Sequence, residues 1–328
     1  MLSNYLLTVW RHARKNVFYI SINMFGLSLG IACCIVAFFN WQFHKEFDGQ
    51  HHNSAPIFKI NSIKKTQGES HKYATSPAPL APNLTEANPE IKASRYWADH
   101  SILRIDQKIL KRPSAFVDQS FTSIFSFRLI EGSFDLSNNG IVLTMRTKEE
   151  LFGTEAVIGE TLELLFGDRI IELQLKGIIE DHPLNSSFKF KALMSYDLYM
   201  SIYKNVNDDW SSSAHASFIS GEIKVSETTD AINKYLQNVN SAISESQYEQ
   251  FYLTPLKDMA EEARYTWDNN LGQNNPPGSI MIPTVMAIMI LLVACFNFTN
   301  TSIALAGKRV KEIGVRKALG GERKGIAG

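Results

Sequence analysis

The chain has 328 residues with 33 Lys+Arg and 33 Asp+Glu, so its formal net charge is zero. That balance gives no support to a nucleic-acid partner, which draws on a basic excess. Its three cysteines, Cys33, Cys34 and Cys295, all lie in uncharged segments, which excludes a disulfide framework or a cysteine zinc site in the stretch between them.

Residues 1–15 read as an interfacial amphipathic helix. Leu2, Tyr5, Leu6, Val9, Trp10 and Ala13 recur at helical spacing beside Arg11, Arg14 and Lys15. Residues 16–43 carry no Asp, Glu, Lys or Arg and exceed the about 20 apolar residues a crossing helix needs. A cleaved signal peptide would have a shorter apolar region ending at a small-residue site. Here the run continues through Phe38, Phe39 and Trp41, so it reads as a first transmembrane helix. Gly26 and Gly30 form a GxxxG that lets another helix approach closely. Just beyond, His44, Asp48, His51 and His52 form the densest histidine group and read as a solvated loop rather than a metal site.

Residues 45–279 form a long extramembrane domain of short alternating runs. Strands are expected at 57–63, 91–105, 109–117, 141–144, 188–195, 218–225 and 251–256. A hairpin at 161–166 and 170–179 turns on Gly167-Asp168. Helices are expected at 77–88, 121–127, 147–152 and 196–203, and at 229–243, where Ile232, Tyr235, Leu236, Val239 and Ile243 share a face. The pattern implies an α/β part at about 55–140 and 215–257, interrupted by a β-rich insertion at about 140–215. Residues 269–278 read as a flexible lead into a second transmembrane helix at 280–306, with Pro283 near its outer end where a kink is tolerated. Asn297 and Asn300, in the last turns of that helix, are expected to bond neighbouring helices.

Basic residues flank both spans. Arg11, Arg14 and Lys15 precede the first, and Lys308, Arg309, Lys311, Arg316, Lys317, Arg323 and Lys324 follow the second. The positive-inside rule puts both ends in the cytoplasm and the domain outside. No catalytic, metal or cofactor constellation stands out. Asp181-His182 with Ser186 and Ser187 reads as a loop, Glu261-Glu262 beside Arg264 as a solvated charged face, and no P-loop is present. The chain is therefore not expected to be an enzyme.

Residues 297–320 are the most specific stretch. Asn297, Asn300, Arg309, Lys311, Glu312, Ile313, Gly314, Val315, Arg316, Lys317, Ala318, Leu319 and Gly320 resemble the cytoplasmic segment of FtsX/MacB-like ABC transporter permeases. Residues 75–91, 117–132 and 178–190 are similar to the MacB-like periplasmic core domain. The resemblance implies an α+β membrane protein: two transmembrane helices flanking an extracytoplasmic α/β subdomain with a β-rich insertion. It also implies a bacterial inner-membrane location, membrane lipid around the spans, and a separate cytoplasmic ABC ATPase docking on residues 307–328. Glu312, Gly314, Arg316, Lys317 and Leu319 are the expected contacts. The work implied is export, efflux or mechanotransmission. Family members carry two further spans, so a remaining transmembrane half or a second permease copy is expected as a partner. A two-span receptor with an external ligand-binding domain is the alternative, and a membrane-tethered hydrolase using His182 a weaker one. The glycines at 314, 320, 321 and 325 disfavour the long coiled coil a receptor would continue with.

Overall fold

The structure is a computed structural model describing residues 17–51, 55–137, 139–203, 209–243 and 247–319. The expected amphipathic helix at 1–15, His52, and the basic residues beyond Leu319 lie outside the described residues. The chain divides into two units, Met1–Lys45 with Asn275–Gly328, and Glu46–Asn274.

The first unit is a helix pair. Helix α1 spans Val17–Lys45 and α9 spans Pro277–Ala318. Both contain segments long and apolar enough to cross a membrane, Val17–Lys45 and Pro277–Ala304. Most of their large apolar side chains are exposed, which in water would be costly and in lipid is the expected state. At about 1.5 Å per residue the 42-residue α9 is roughly 63 Å long, twice the hydrocarbon thickness. It runs without a break from the expected span into the expected cytoplasmic segment.

The second unit is built on one continuous sheet. Its strands are β1 (Ile57–Thr66), β2 (Glu69–Tyr73), β4 (Lys92–Ile105), β5 (Lys108–Val117), β6 (Leu129–Gly132), β7 (Gly140–Thr144), β8 (Thr161–Phe166), β9 (Arg169–Ile179), β10 (Ala192–Ser195), β12 (Ala216–Ser220) and β13 (Gln247–Pro255). The order is β13-β1-β12-β4-β5-β10-β7-β9-β6, with β2 on β1 and β8 bridging β4 and β9. A two-residue pair, β3 (Ser76–Pro77) with β11 (Ser213–Ala214), lies apart.

The four strands β13-β1-β12-β4 are mutually antiparallel neighbours drawn from both ends of the domain. Helix α2 (Leu80–Ala87) follows β1, and helices α6 (Val225–Asn233) and α7 (Leu236–Ala242) follow β12. This is a split β-α-β-β-α-β unit. Leu80, Leu84, Ile232 and Val239 from these helices cover Ile60 and Phe251 on the sheet. Everything between β4 and β12 interrupts the unit, so by connectivity the interruption spans 106–215, wider than the expected 140–215. Its strands extend the same sheet through β5 and β10 and bury a second core of Leu103, Phe116, Leu143 and Leu175 with helices α4 (Met145–Phe152) and α5 (Tyr196–Ile202). A third core, rich in phenylalanine, joins the two parts. Tyr96 and Phe218 of the outer strands meet Phe121, on helix α3 (Phe121–Ile124), and Phe125, Phe188 and Phe190 of the interruption.

Several boundaries differ from expectation for local reasons. The expected helix 229–243 is two helices parted at Lys234–Tyr235, with Asn233 turned to Phe251: its amide accepts the Phe251 N–H and donates to the Phe251 carbonyl. The expected strand 188–195 is regular only from Ala192, because residues 186–190 bond to loops instead. The β1–β2 hairpin, absent from the sequence reading, turns on Gln67-Gly68 with φ of 52° and 91°, the paired positive values of a tight two-residue turn. Helix α8 (Leu256–Glu262) also went unexpected.

Candidate functional site

The helix pair is held by small residues and by polar side chains. A Cβ on Gly30 would lie 3.2 Å from the Leu291 Cα, and one on Gly26 3.9 Å from the Ala294 Cβ. Gly30 is buried with Ala37, and Ala287 and Ala294 are buried on α9. Small residues let backbones approach where apolar burial gives no net drive between helices in lipid. Pro283 removes the N–H that would bond the Ser279 carbonyl. The Asn40 side chain donates to that carbonyl at 3.2 Å, so the helix runs on through the proline. Near the other end the Thr301 hydroxyl reaches the Asn23 side-chain oxygen at 3.5 Å.

Of the expected helix contacts, Gly26 and Gly30 face α9. Asn297 borders an apolar groove along both helices with Phe25 and Val293, and Asn300 is exposed. Of the expected ATPase contacts, Gly314 lies within α9, and Lys317 and Leu319 are exposed at its end, Leu319 at 83%. The side chains of Glu312 and Arg316 lie outside the described residues.

A second constellation sits in the domain where its chain begins and ends. Asp48 is 2% exposed, not solvated as expected. Its carboxylate accepts the Ser187 N–H at 2.6 Å and the Ser187 hydroxyl at 2.5 Å. Its own N–H donates to the Asn185 carbonyl at 2.8 Å, and the Asn185 amide donates to the Glu46 carbonyl at 3.0 Å. Gln50 donates to the Ser186 hydroxyl at 3.0 Å. From the other end of the domain, the Gly272 N–H donates to the Ser187 carbonyl at 2.7 Å. A Cβ at Gly272 would lie 2.9 Å from the Ser186 carbonyl oxygen, so only glycine allows this approach. Ser186 and Ser187 thus clasp both the segment after α1 and the segment before α9. All these bonds lie within Glu46–Asn274.

The clasp rests on the phenylalanine core. His51, 7% exposed, sits edge-on to Phe125, Phe127 and Phe188 at 5.0 to 5.4 Å. Its Nδ1 lies 3.2 Å from the Ser126 carbonyl and its Nε2 3.2 Å from the Gln50 amide. A neutral ring with the proton on Nδ1 satisfies both partners. His182 lies against Phe127 and Phe190, and its buried Nε2 has no hydrogen-bond partner. Burial, with Lys191 and His51 nearby, pushes its pKa down to about 4, so it is neutral. Burial raises the Asp48 carboxyl above its ordinary value, and the Ser187 bonds partly offset this. Asp181 pairs with Lys191 at 2.9 Å and accepts the Arg146 N–H.

Asp181, His182, Ser186 and Ser187 are therefore a loop, as expected, but a bonded one in which Ser186 and Ser187 are buried. Glu262 is not simply solvated either: it accepts from Lys72 at 2.8 Å and from the Tyr252 hydroxyl at 3.0 Å. It is also the countercharge acting on Lys59, which is 2% exposed and whose pKa burial pushes down to about 7. Among the described residues no cluster of three or more metal-ligating side chains is assembled. Sequence reading missed the clasp because its partners are 139 positions apart. The available signal was the pairing of a turn-forming Asp48-Gly49 after the span with the Pro183-x-Asn185-Ser186 run.

A search of curated proteins gives no match. Among solved structures, a permease-protein domain from Porphyromonas gingivalis is 20% identical, with TM-score 0.49, covering 71% of this chain and 97% of that one. The periplasmic region of MacB from Actinobacillus actinomycetemcomitans is 14% identical, with TM-score 0.45, covering 64% and 92%. The extracellular domain of the noncanonic ABC-type transporter YknZ from Gram-positive bacteria is 10% identical, with TM-score 0.44, covering 59% and 100%. The family model of the MacB-like periplasmic core domain matches residues 21–239, from within α1 into α7. With two apolar helices flanking that domain, the chain is a membrane protein and belongs to the MacB-like family of ABC transporter permeases.

Proposed function

We propose that this chain is the membrane subunit of an ABC-type system in which a separate ATPase moves the spans, and the spans move the external domain. Both termini are cytoplasmic and the domain Glu46–Asn274 is extracytoplasmic, in keeping with the basic flanks of both spans. The ATPase activity resides in the partner, which docks along the end of α9 through Glu312, Gly314, Arg316, Lys317 and Leu319. The observation that supports this reading is the unbroken α9, together with the clasp. A helix continuous from Pro277 to Ala318 carries a push or a rotation without a hinge. The segments next to both spans are bonded to the same two serines, so helix movement is delivered to one point of the domain. Apolar groove residues beside Gly26 and Asn297 suit further helices, from a remaining transmembrane half or a second permease copy.

Charge reversal at Arg316 and Lys317 tests the docking. Co-purification with the cognate ATPase is expected to fall at least about tenfold, the effect of opposing two interface charges. Undiminished co-purification and undiminished transport would remove the assignment.

A further inference from the structure

Leu184 is, at 83%, the most exposed large apolar side chain among the described residues of the domain. Its turn is nevertheless fixed. The Asn185 carbonyl accepts the Asp48 N–H, the Asn185 amide donates to the Glu46 carbonyl, and the Lys189 ammonium donates to the Leu184 carbonyl at 2.9 Å. Glu46 is joined by a peptide bond to Lys45, the last residue of α1. Helix α1 has 29 residues, about 43 Å, against a hydrocarbon core of about 30 Å. Its last turn holds Trp41 with the Lys45 ammonium 4.8 Å over its ring. An aromatic ring and a cation in this arrangement settle at the headgroup level of a bilayer. Chain continuity therefore brings residue 46 to that level, and the Asn185 bonds bring the Pro183–Leu184 turn beside residue 46.

We propose that this turn is a lipid anchor: Leu184 enters the headgroup–acyl boundary of the leaflet at the C-terminal end of α1, with the Lys189 ammonium at the phosphate level. The occupant is lipid because the turn is tied to the chain as it leaves the span. An exposed leucine tied this close along the chain to the end of the span has lipid within reach. The anchor sets the depth at which Ser186 and Ser187 are held, three residues or fewer along the chain.

The test uses the full chain in phosphatidylcholine–phosphatidylglycerol liposomes, with Cys33, Cys34 and Cys295 changed to Ser. Serine at 34 keeps a donor for the Ala287 carbonyl that the Cys34 thiol reaches. An environment-sensitive fluorophore is placed at Leu184→Cys and, as control, at Ile170→Cys, a 56%-exposed position next to the β8–β9 turn. The expected result is blue-shifted emission at 184 and quenching by brominated acyl chains at least about twofold above that at 170. Equal emission and equal quenching at the two positions would overturn the proposal. Shielding from aqueous iodide at 184 without quenching by brominated lipid would overturn it too, by placing protein over the turn. Because Leu184 touches no core cluster, the cysteine variant is expected to keep the parent's thermal midpoint.

Discussion

Replacing Asp48 by alanine tests the clasp directly. The substitution removes both acceptors from Ser187, leaving its N–H buried, and puts alanine where φ is 57°. A buried donor left without a partner costs about 1–3 kcal/mol. A non-glycine residue without a polar side chain in the left-handed region costs about 1 kcal/mol more. Together they reach about 3 kcal/mol, or roughly a hundredfold in the local opening equilibrium. Asparagine keeps an oxygen for the Ser187 N–H, offers its amide to the Ser187 hydroxyl, and tolerates a positive φ. Asp48→Asn is therefore expected to stay within about tenfold of the parent. Hydrogen exchange at the Ser187 and Phe188 amides, measured on the full chain in detergent, reads the opening. Asp48→Ala exchanging within about threefold of the parent would refute the clasp as a stable joint. The pH dependence has a definite sign. The folded carboxyl titrates above its ordinary value of 3.8, so the folded state holds a proton that the unfolded chain releases. That contribution is fully present below the ordinary value and lost as pH rises through the folded one. Asp48→Asn abolishes this slope.

Three further outcomes are expected. Gly30→Val forces a side chain against the Leu291 backbone and should lower thermal stability of the full chain in detergent by about 2 kcal/mol, whereas Gly26→Ala, with 3.9 Å of room, should be neutral. His182 and His215 are each pushed down to about 4 by burial, so they stabilise the domain fully above their ordinary value of 6.5 and lose that stabilisation as pH falls towards 4. The unfolding free energy from urea titration should drop between pH 7 and pH 5, by at most about 1.4 kcal/mol per pH unit for each ring, and His182→Phe should flatten part of the drop. Lys59→Met removes a buried cation whose pKa falls to about 7 and should raise stability at pH 6 by at least about 1 kcal/mol. A loss of stability instead would mean that attraction to Glu262 outweighs desolvation.

The spans and the class of fold were legible in the sequence because both rest on local pattern. Uncharged length marks a crossing helix, and period-two alternation marks β4, β8 and β9. The Gly167-Asp168 turn was readable because Gly167 supplies a positive φ of 55° at no steric cost. Residues 46–51 and 181–188 were not readable as structure. Each is polar and turn-rich, and alone each belongs in water. Asp48, His51, Ser186 and Ser187 become buried only where the two segments meet, with His51 closing over Phe125 and Phe188. Polarity predicts exposure only where no distant partner satisfies it. Asn40 was invisible for the same reason, since its value lies in a carbonyl freed by a proline 243 positions later, at Pro283. The single long helix α9 was not legible because the apolar run that marks the span ends before the basic segment begins, and Gly307 and Gly314 within it each cost a helix only about 1 kcal/mol.

The interruption of the split β-α-β-β-α-β unit has a consequence for how such a protein can diversify. Topologically, residues 106–215 are an excursion between two strands, the kind of segment that is ordinarily replaced or lengthened freely. Here the excursion carries Ser186 and Ser187, which grip the chain where it enters and leaves the domain, and it supplies Phe121, Phe125 and Phe188 to the shared core. It is not an exchangeable cassette. A graft lacking its own serine clasp and aromatic wedge would leave Asp48 and Gly272 without the Ser187 partners that hold both ends of the domain. Variation is thereby steered to the far turns, such as Asp106-Gln107 and Gly167-Asp168, and away from the loop 181–188.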